Sequence, residues 1–151
     1  MGEENICVMG SEFKLCLISR RRCSMAGTRF NKRGIDDEGN VANFVETEQL
    51  FYYFGYCFSF VQVRGSVPLF FKQSGIKAEI TVTRNRHMQE EPMRKHHALL
   101  EEEYGKVFVL DLLDRRKDGE CQLGDLFDTT LHSLKMQATR HMRYNYHLMV
   151  I

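Results

Sequence analysis

The chain has 151 residues, 43% hydrophobic and 27% charged, which is the size and composition of one globular domain. Its formal net charge of +1 gives no overall bias towards nucleic acid, and no apolar stretch is long enough to span a membrane or to form a signal peptide. Five cysteines, an odd number without Cys-x-x-Cys spacing, indicate neither a zinc site nor a disulfide framework, so reduced intracellular thiols are expected.

Residues 1–12 read as an N-terminal tail. Residues 13–19 (FKLCLIS) are short, apolar and partly alternating, a strand signature; residues 26–34 carry a weaker one. The Asp and Gly content of residues 34–40 predicts a turn. Residues 41–54 alternate, and residues 56–71 are rich in aromatic and β-branched side chains, the strongest strand signal in the chain. Gly55 between them predicts a hairpin, and Pro68 suits a strand end. Near residue 85 the period changes. Residues 90–105 predict a helix with Pro92 in its first turn, Gly105 at its end, and a stripe of Met93, His96 or His97, Leu100 and Tyr104. Residues 106–114 predict a buried strand. A second helix follows over 123–135, with Leu123, Leu126, Phe127, Leu131 and Leu134 on one side, and residues 142–151 predict a last strand. The fold class is therefore mixed, α+β or α/β: a β-rich first half with hairpin strands, then helix, strand, helix, strand with parallel pairing.

Basic residues are concentrated: Arg20, Arg21, Arg22, Arg29, Lys32 and Arg33 fall within fourteen positions. Such a run is either a solvated face or a surface that meets phosphate. Cys23 and Arg29 have the spacing of a cysteine-phosphatase loop, in which a thiolate attacks phosphorus and amides with an arginine hold the oxygens. That chemistry needs a helix beginning at the arginine. The residues after Arg29 carry two glycines and no helical stripe, Phe30 stands where a hydroxyl is usual, and Cys16 with Arg22 matches the same spacing. Cys23 is thus expected to be a small residue packed in a strand–turn region. Of His96 and His97, adjacent on a helix, one is expected buried and one exposed. Glu46 and Glu48 share one face of a strand, where acids are solvated, paired with arginine, or used for proton transfer.

Four longer stretches carry a family resemblance. They are Ser19-Arg20-Arg21, Ala26-Gly27-Thr28-Arg29, the run from Asn43 to Gln49 (NFVETEQ), and Arg64-Gly65-Ser66-Val67-Pro68. Together with residues 101–113 and 144–149 they resemble the Sac domain of phosphoinositide phosphatases over roughly residues 13–150. Phe71 stands where that family has Trp, and Arg22 and Met25 replace a small polar and a basic residue.

The resemblance implies that residues 13–151 are the first part of a phosphatase catalytic subdomain. It implies a catalytic loop, in outline Cys-x-x-Cys-x-Asp-Arg-Thr, further downstream, so that the catalytic residues lie outside this chain and the chain by itself is inactive. Hydrolysis through a cysteinyl-phosphate would need no metal or other cofactor. Arg20, Arg21, Arg29, Arg33 and Arg64 would line the approach for an inositol head group. The partners implied are phosphoinositide head groups and an anionic membrane surface, not nucleic acid, with a cytoplasmic location peripheral to membranes. The competing expectation is a non-catalytic module that binds acidic lipid or protein.

Overall fold

The structure, a computed structural model, describes residues 2–8, 11–28, 31–74 and 79–144, with side chains from Phe13 onward. Four strands form an antiparallel sheet in sequence order: β1 (Gly2–Val8), β2 (Ser11–Arg21), β3 (Val45–Tyr53) and β4 (Tyr56–Arg64). Residues 2–8, read from sequence as tail, pair along β2 from Gly2 opposite Leu17 to Val8 opposite Ser11. The β3–β4 hairpin closes as expected through Phe54 and Gly55, both at positive φ (45° and 79°), as a two-residue hairpin turn requires. Residues 26–34 form no strand among the described positions.

The rest of the chain supplies β5 (Phe71–Ser74) paired antiparallel with β6 (Glu79–Val82), helix α1 (Arg86–Tyr104), β7 (Val107–Asp111), helix α2 (Asp118–Leu134) and β8 (Thr139–Arg143). The expected parallel pairing is present between β7 and β8, in register from Val107–Thr139 to Asp111–Arg143. Residues 145–151, in the predicted last strand, lie outside the described residues.

Helix α1 begins earlier than its hydrophobic stripe suggests. Asn85 caps it, its Oδ1 accepting from the Met88 amide at 3.1 Å. Pro92 therefore lies inside the helix, not in its first turn, and leaves the Met88 carbonyl without its usual donor. Gly105 ends the helix at φ 78°, its N–H donating to the Glu101 carbonyl at 2.9 Å. Helix α2 also starts five residues before Leu123, with Asp118 and Glu120 in its first turn, where the helix dipole favours acids.

The core is split by the chain entering β5. Successive side chains of an extended segment point to opposite sides. Phe70 joins Ile35, Val41, Phe44 and Leu100 on one side, while Leu69 and Phe71 join Met93, Leu123 and Phe127 on the other. Phe71 thus fills an aromatic core position. Buried Gln89 of α1 ties this segment down: its Oε1 accepts from the Phe70 amide at 2.6 Å and its Nε2 donates to the Arg84 carbonyl at 2.9 Å. The predicted burial of β7 is corrected. Val107 and Val109 pack inward, but Phe108 and Leu110 are 60% and 45% exposed, because the helices cover one face of the β7–β8 pair only.

Candidate functional site

The four sequence stretches converge at one end of the large sheet. Asn43, in the left-handed region at φ 56°, is the hub. Its Oδ1 accepts from the Gly27 amide at 3.2 Å and from the Arg21 guanidinium, and its Nδ2 donates to the Lys32 carbonyl at 3.3 Å. One amide side chain therefore holds the Ala26–Thr28 turn, the loop after it and the end of β2 together. The following loop is fixed by Asp36, whose Oδ1 accepts from the amides of Glu38 and Asn40 at 3.1 and 2.8 Å, an Asx-type turn. Gly34, at φ 79°, donates its N–H to Ser66 Oγ at 2.8 Å, and a Cβ there would sit 2.6 Å from the Leu69 carbonyl oxygen. Gly65 is equally confined, since a Cβ would meet Val41 at 2.6 Å. Gly34 is thus there for close backbone approach and Gly65 to leave room for the Val41 side chain.

The arginines at this end divide by partner. Arg20 lies on the same face as Glu46 and Glu48 and forks between them, at 2.8 Å to Glu46 and 3.0 Å to Glu48. Ser59 Oγ donates to Glu48 at 2.9 Å and Tyr104 Oη to Glu46 at 2.6 Å. The Tyr104 hydroxyl, opposed by burial and supported by Arg20, holds the Glu46 carboxyl below its ordinary range, and burial with the Glu46 contact pushes the Tyr104 phenol up. A carboxylate so held is an ion-pair partner and not a proton carrier at neutral pH. Arg22 lies 4.3 Å over the Phe44 ring and pairs with Glu103 of α1.

Arg21 and Arg64 differ. Both stand opposite Val45, on its two neighbouring strands, and so share the other face of the sheet at roughly 10 Å separation. Among the described residues Arg21 donates to uncharged oxygens only, those of Gly27 (2.8 Å) and Asn43. Arg64 is exposed and makes no side-chain hydrogen bond or ion pair among the described residues. Arg33 is further along, its Nε donating to Gln73 at 2.8 Å. Arg29, also expected to line the site, lies outside the described residues, as does Phe30. Of the five expected arginines, this geometry brings two, Arg21 and Arg64, to one face of the sheet without a carboxylate partner among the described residues.

Cys23 is exposed and not packed as expected. It opens a turn closed by the Ala26 amide on its carbonyl at 3.3 Å, and among the described residues no helix begins between it and β3. The described residues that follow Cys23 therefore supply no helix dipole to stabilise a thiolate and a phosphate. His96 and His97 of α1 are both buried, correcting the expectation of one, because α1 is covered on two sides. His96 donates from Nδ1 to the Gly39 carbonyl at 3.0 Å and meets Phe44 edge-on; His97 is 1% exposed with neither ring nitrogen bonded. Burial, for His96 with repulsion from its neighbour second, lowers both to about 4.

A further titratable group was not read from sequence: Asp111 at the end of β7, Asp128 of α2 and His141 of β8, whose ligand atoms lie within 4.8 Å of one another. Arg115 pairs with Asp111, with Asp128 at 3.3 Å and with Asp125 at 3.0 Å, and Arg143 pairs with Asp128. Gly124 makes room for the Arg115 guanidinium, which a Cβ would strike at 2.0 Å. Two guanidiniums already supply the positive charge these carboxylates need, so the cluster is a clamp between α2 and the β7–β8 pair.

A family model described as SacI homology domain matches residues 2–149. Synaptojanin-1 of Rattus norvegicus is 43% identical over 141 residues, covering 91% of this chain and 9% of that protein. The polyphosphatidylinositol phosphatase INP53 of Saccharomyces cerevisiae is 42% identical over 129 residues, 83% of this chain and 12% of its own length. Synaptojanin of Caenorhabditis elegans is 42% identical over 118 residues, 77% of this chain and 10% of that protein. The chain spans about a tenth of the length of the curated relatives it matches.

Proposed function

The chain belongs to the SacI homology domain family, and from that membership we propose that it forms part of the phosphatase domain of a larger protein that removes phosphate from phosphatidylinositol phosphates at a membrane surface. The observation that carries this reading is the match along nearly the whole chain, which includes the stretches meeting at Asn43. In the proposed reaction a cysteine thiolate bonds to phosphorus as the phosphorus–oxygen bond to inositol breaks. The leaving oxygen takes a proton, and water then cleaves the sulfur–phosphorus bond, releasing inorganic phosphate and the thiol. The nucleophile comes from outside residues 1–151. Arg21 and Arg64 contribute charge that draws the anionic head group towards the sheet end.

The purified chain is accordingly expected to release no phosphate from phosphatidylinositol phosphates, and a Cys23→Ser variant to behave identically. Turnover by the chain that disappears in the variant overturns the assignment of the nucleophile. Sequencing the transcript beyond codon 151 tests the reading itself. An in-frame cysteine loop supports it; a native stop overturns it in favour of a non-catalytic module that binds acidic lipid or protein.

A further inference from the structure

Ser24 takes no part in the anion contact described above, yet its sequence neighbours single it out. Arg20, Arg21 and Arg22 stand before it, Cys23 intervenes, and Met25 follows. It is the only serine or threonine of the chain with a basic residue at both the second and the third position before it. Arginine-directed protein kinases select an acceptor hydroxyl by this pattern. Carboxylates in the kinase's peptide groove fork onto the two guanidiniums, and an apolar side chain after the acceptor seats in an apolar pocket. Arg22 and Met25 are the two departures noted above in this stretch, and each moves it towards that pattern. One adds a guanidinium, and the other puts an apolar side chain beside the hydroxyl.

The fold presents the same residues outward. Ser24 is exposed in the turn that leaves β2, and its hydroxyl has no hydrogen-bond partner among the described residues. By contrast Ser66, two positions after Arg64, has Val63 at the third position before it, and its Oγ accepts from the Gly34 amide at 2.8 Å. Arg22 is already paired with a carboxylate, that of Glu103, and the two side chains are 33% and 46% exposed. An exposed ion pair contributes little, so a groove of carboxylates can take over the guanidinium. Arg21 has only neutral partners among the described residues and gains by the exchange. Around the turn the backbone is held by bonds of 3.1 to 3.3 Å, from the amides of Arg22, Ala26 and Asn43 to the carbonyls of Phe44, Cys23 and Met25. Met25 sits at φ 53°, where a side chain is strained, so drawing this strand end out into an extended segment relieves it.

We propose that Ser24 is a phosphorylation site for an arginine-directed kinase, and that its phosphate weakens the hold of this end of the sheet on anionic lipid. The proposal rests on the cytoplasmic, membrane-peripheral placement expected from the sequence and on the head-group reading above. In the transfer, Ser24 Oγ bonds to the terminal phosphorus of ATP as the bond to ADP breaks, and the hydroxyl proton passes to a carboxylate of the kinase. The product carries nearly two negative charges. They lie in the turn bonded to Asn43, the residue that also holds Arg21. They therefore offset the guanidinium charge at the end of the sheet towards which head groups are drawn.

The chain is incubated with magnesium, ATP and the catalytic subunit of cyclic-AMP-dependent protein kinase, and the phosphate is mapped by mass spectrometry. About one phosphate per chain is expected, on Ser24. Arg22→Ser is expected to lower the kcat/KM of labelling about tenfold or more, and Ser24→Ala to abolish it. No phosphate on Ser24 overturns the proposal, as does labelling that Arg22→Ser leaves unchanged. A synthetic peptide of residues 18–28 separates recognition from access. Labelled peptide beside unlabelled chain means that the fold withholds the hydroxyl, which also overturns the site. Labelled and unlabelled chain are then compared on vesicles of phosphatidylcholine carrying a phosphatidylinositol phosphate. Binding is expected to fall about tenfold on phosphorylation and to return when a protein phosphatase removes the phosphate. Equal binding by the two forms, including none by either, overturns the control by charge. Each of these failures leaves the phosphatase reading standing, because the sequence beyond codon 151 decides that.

Discussion

The helical part and the large sheet are built to different standards of burial. Between β5 and the two helices, Leu69, Met93, Leu123, Gln89, His97 and Thr130 are almost fully removed from water. In β2, β3 and β4, only Cys16 and Val45 are buried among the described residues, and aromatic rings stand open. The sheet is joined to the rest through its arginine end, by Tyr104 on Glu46 and Glu103 on Arg22. Burial of apolar area is the main stabilising term. Stability is therefore concentrated in the helical part, and the sheet is a ladder of backbone hydrogen bonds presenting surface outward. Exposed apolar faces are where external contacts form.

The largest test of this division is acid. His96 and His97 lie in the helical part with ring pKa values lowered to about 4 from 6.5. The fold holds them neutral, so above pH 6.5 they leave stability unchanged. As pH falls from 6.5 towards 4 the unfolded chain takes up their protons first, and stability is lost; below about 4 the loss is complete. Each histidine accounts for about 3 kcal/mol at full effect. Urea unfolding followed by circular dichroism from pH 7.5 to 4.5 is expected to show this fall. His97→Leu, which removes two unbonded ring nitrogens, is expected to raise stability at pH 7 and to flatten the acid limb by about half. A flat profile between pH 7 and 5 would place the histidines in contact with water.

Truncation of one apolar side chain in each region sharpens the comparison. Met93 is completely buried against Leu69 and Phe127, and Met93→Ala is expected to cost about 2–5 kcal/mol. Phe60 is 60% exposed, and Phe60→Ala is expected to change stability by no more than about 0.5 kcal/mol while improving solubility at high concentration. Equal losses for the two variants would show that the sheet face is covered in solution.

Legibility in the sequence follows the range of the interactions. The β3–β4 hairpin was readable because alternation and Gly55 are local signals, and the parallel β7–β8 pair because helices separate strands in the chain. The start of α1 was missed because its cap, Asn85, stands outside the hydrophobic stripe. Burial of both His96 and His97 was missed because one wall is the loop at Gly39, 57 positions away. The site was visible as motif and opaque as geometry. Asn43 reaches Arg21 and Gly27 over 22 and 16 positions, and the opposite facing of Arg20 and Arg21 depends on strand register. Pairing set by tertiary register has no short-range trace.

The smallest expected effect concerns the arginines that neighbour each other in sequence and part company in space. Arg20 is tied to Glu46 and Glu48, so its charge is balanced where it stands. Arg64 has no anionic partner among the described residues and shares its face with Arg21, whose partners are neutral. If the face with Arg64 and Arg21 is the one that draws an anionic head group, only that pair is placed to add to it. Arg64→Gln is expected to weaken binding to anionic vesicles about fivefold at moderate salt, the increment of one basic residue near a charged surface, and to leave Tm unchanged. The Arg21→Gln, Arg64→Gln double variant is expected to lose that increment twice and to become nearly insensitive to salt. Arg20→Gln frees two carboxylates on the opposite face. It is expected to lower Tm slightly and to alter vesicle binding less than Arg64→Gln does, because the face it belongs to points away. Co-sedimentation with vesicles across a salt series measures all three. A loss on Arg20→Gln equal to that on Arg64→Gln would mean that the membrane sees the basic run as a whole and not the face that the strand register selects.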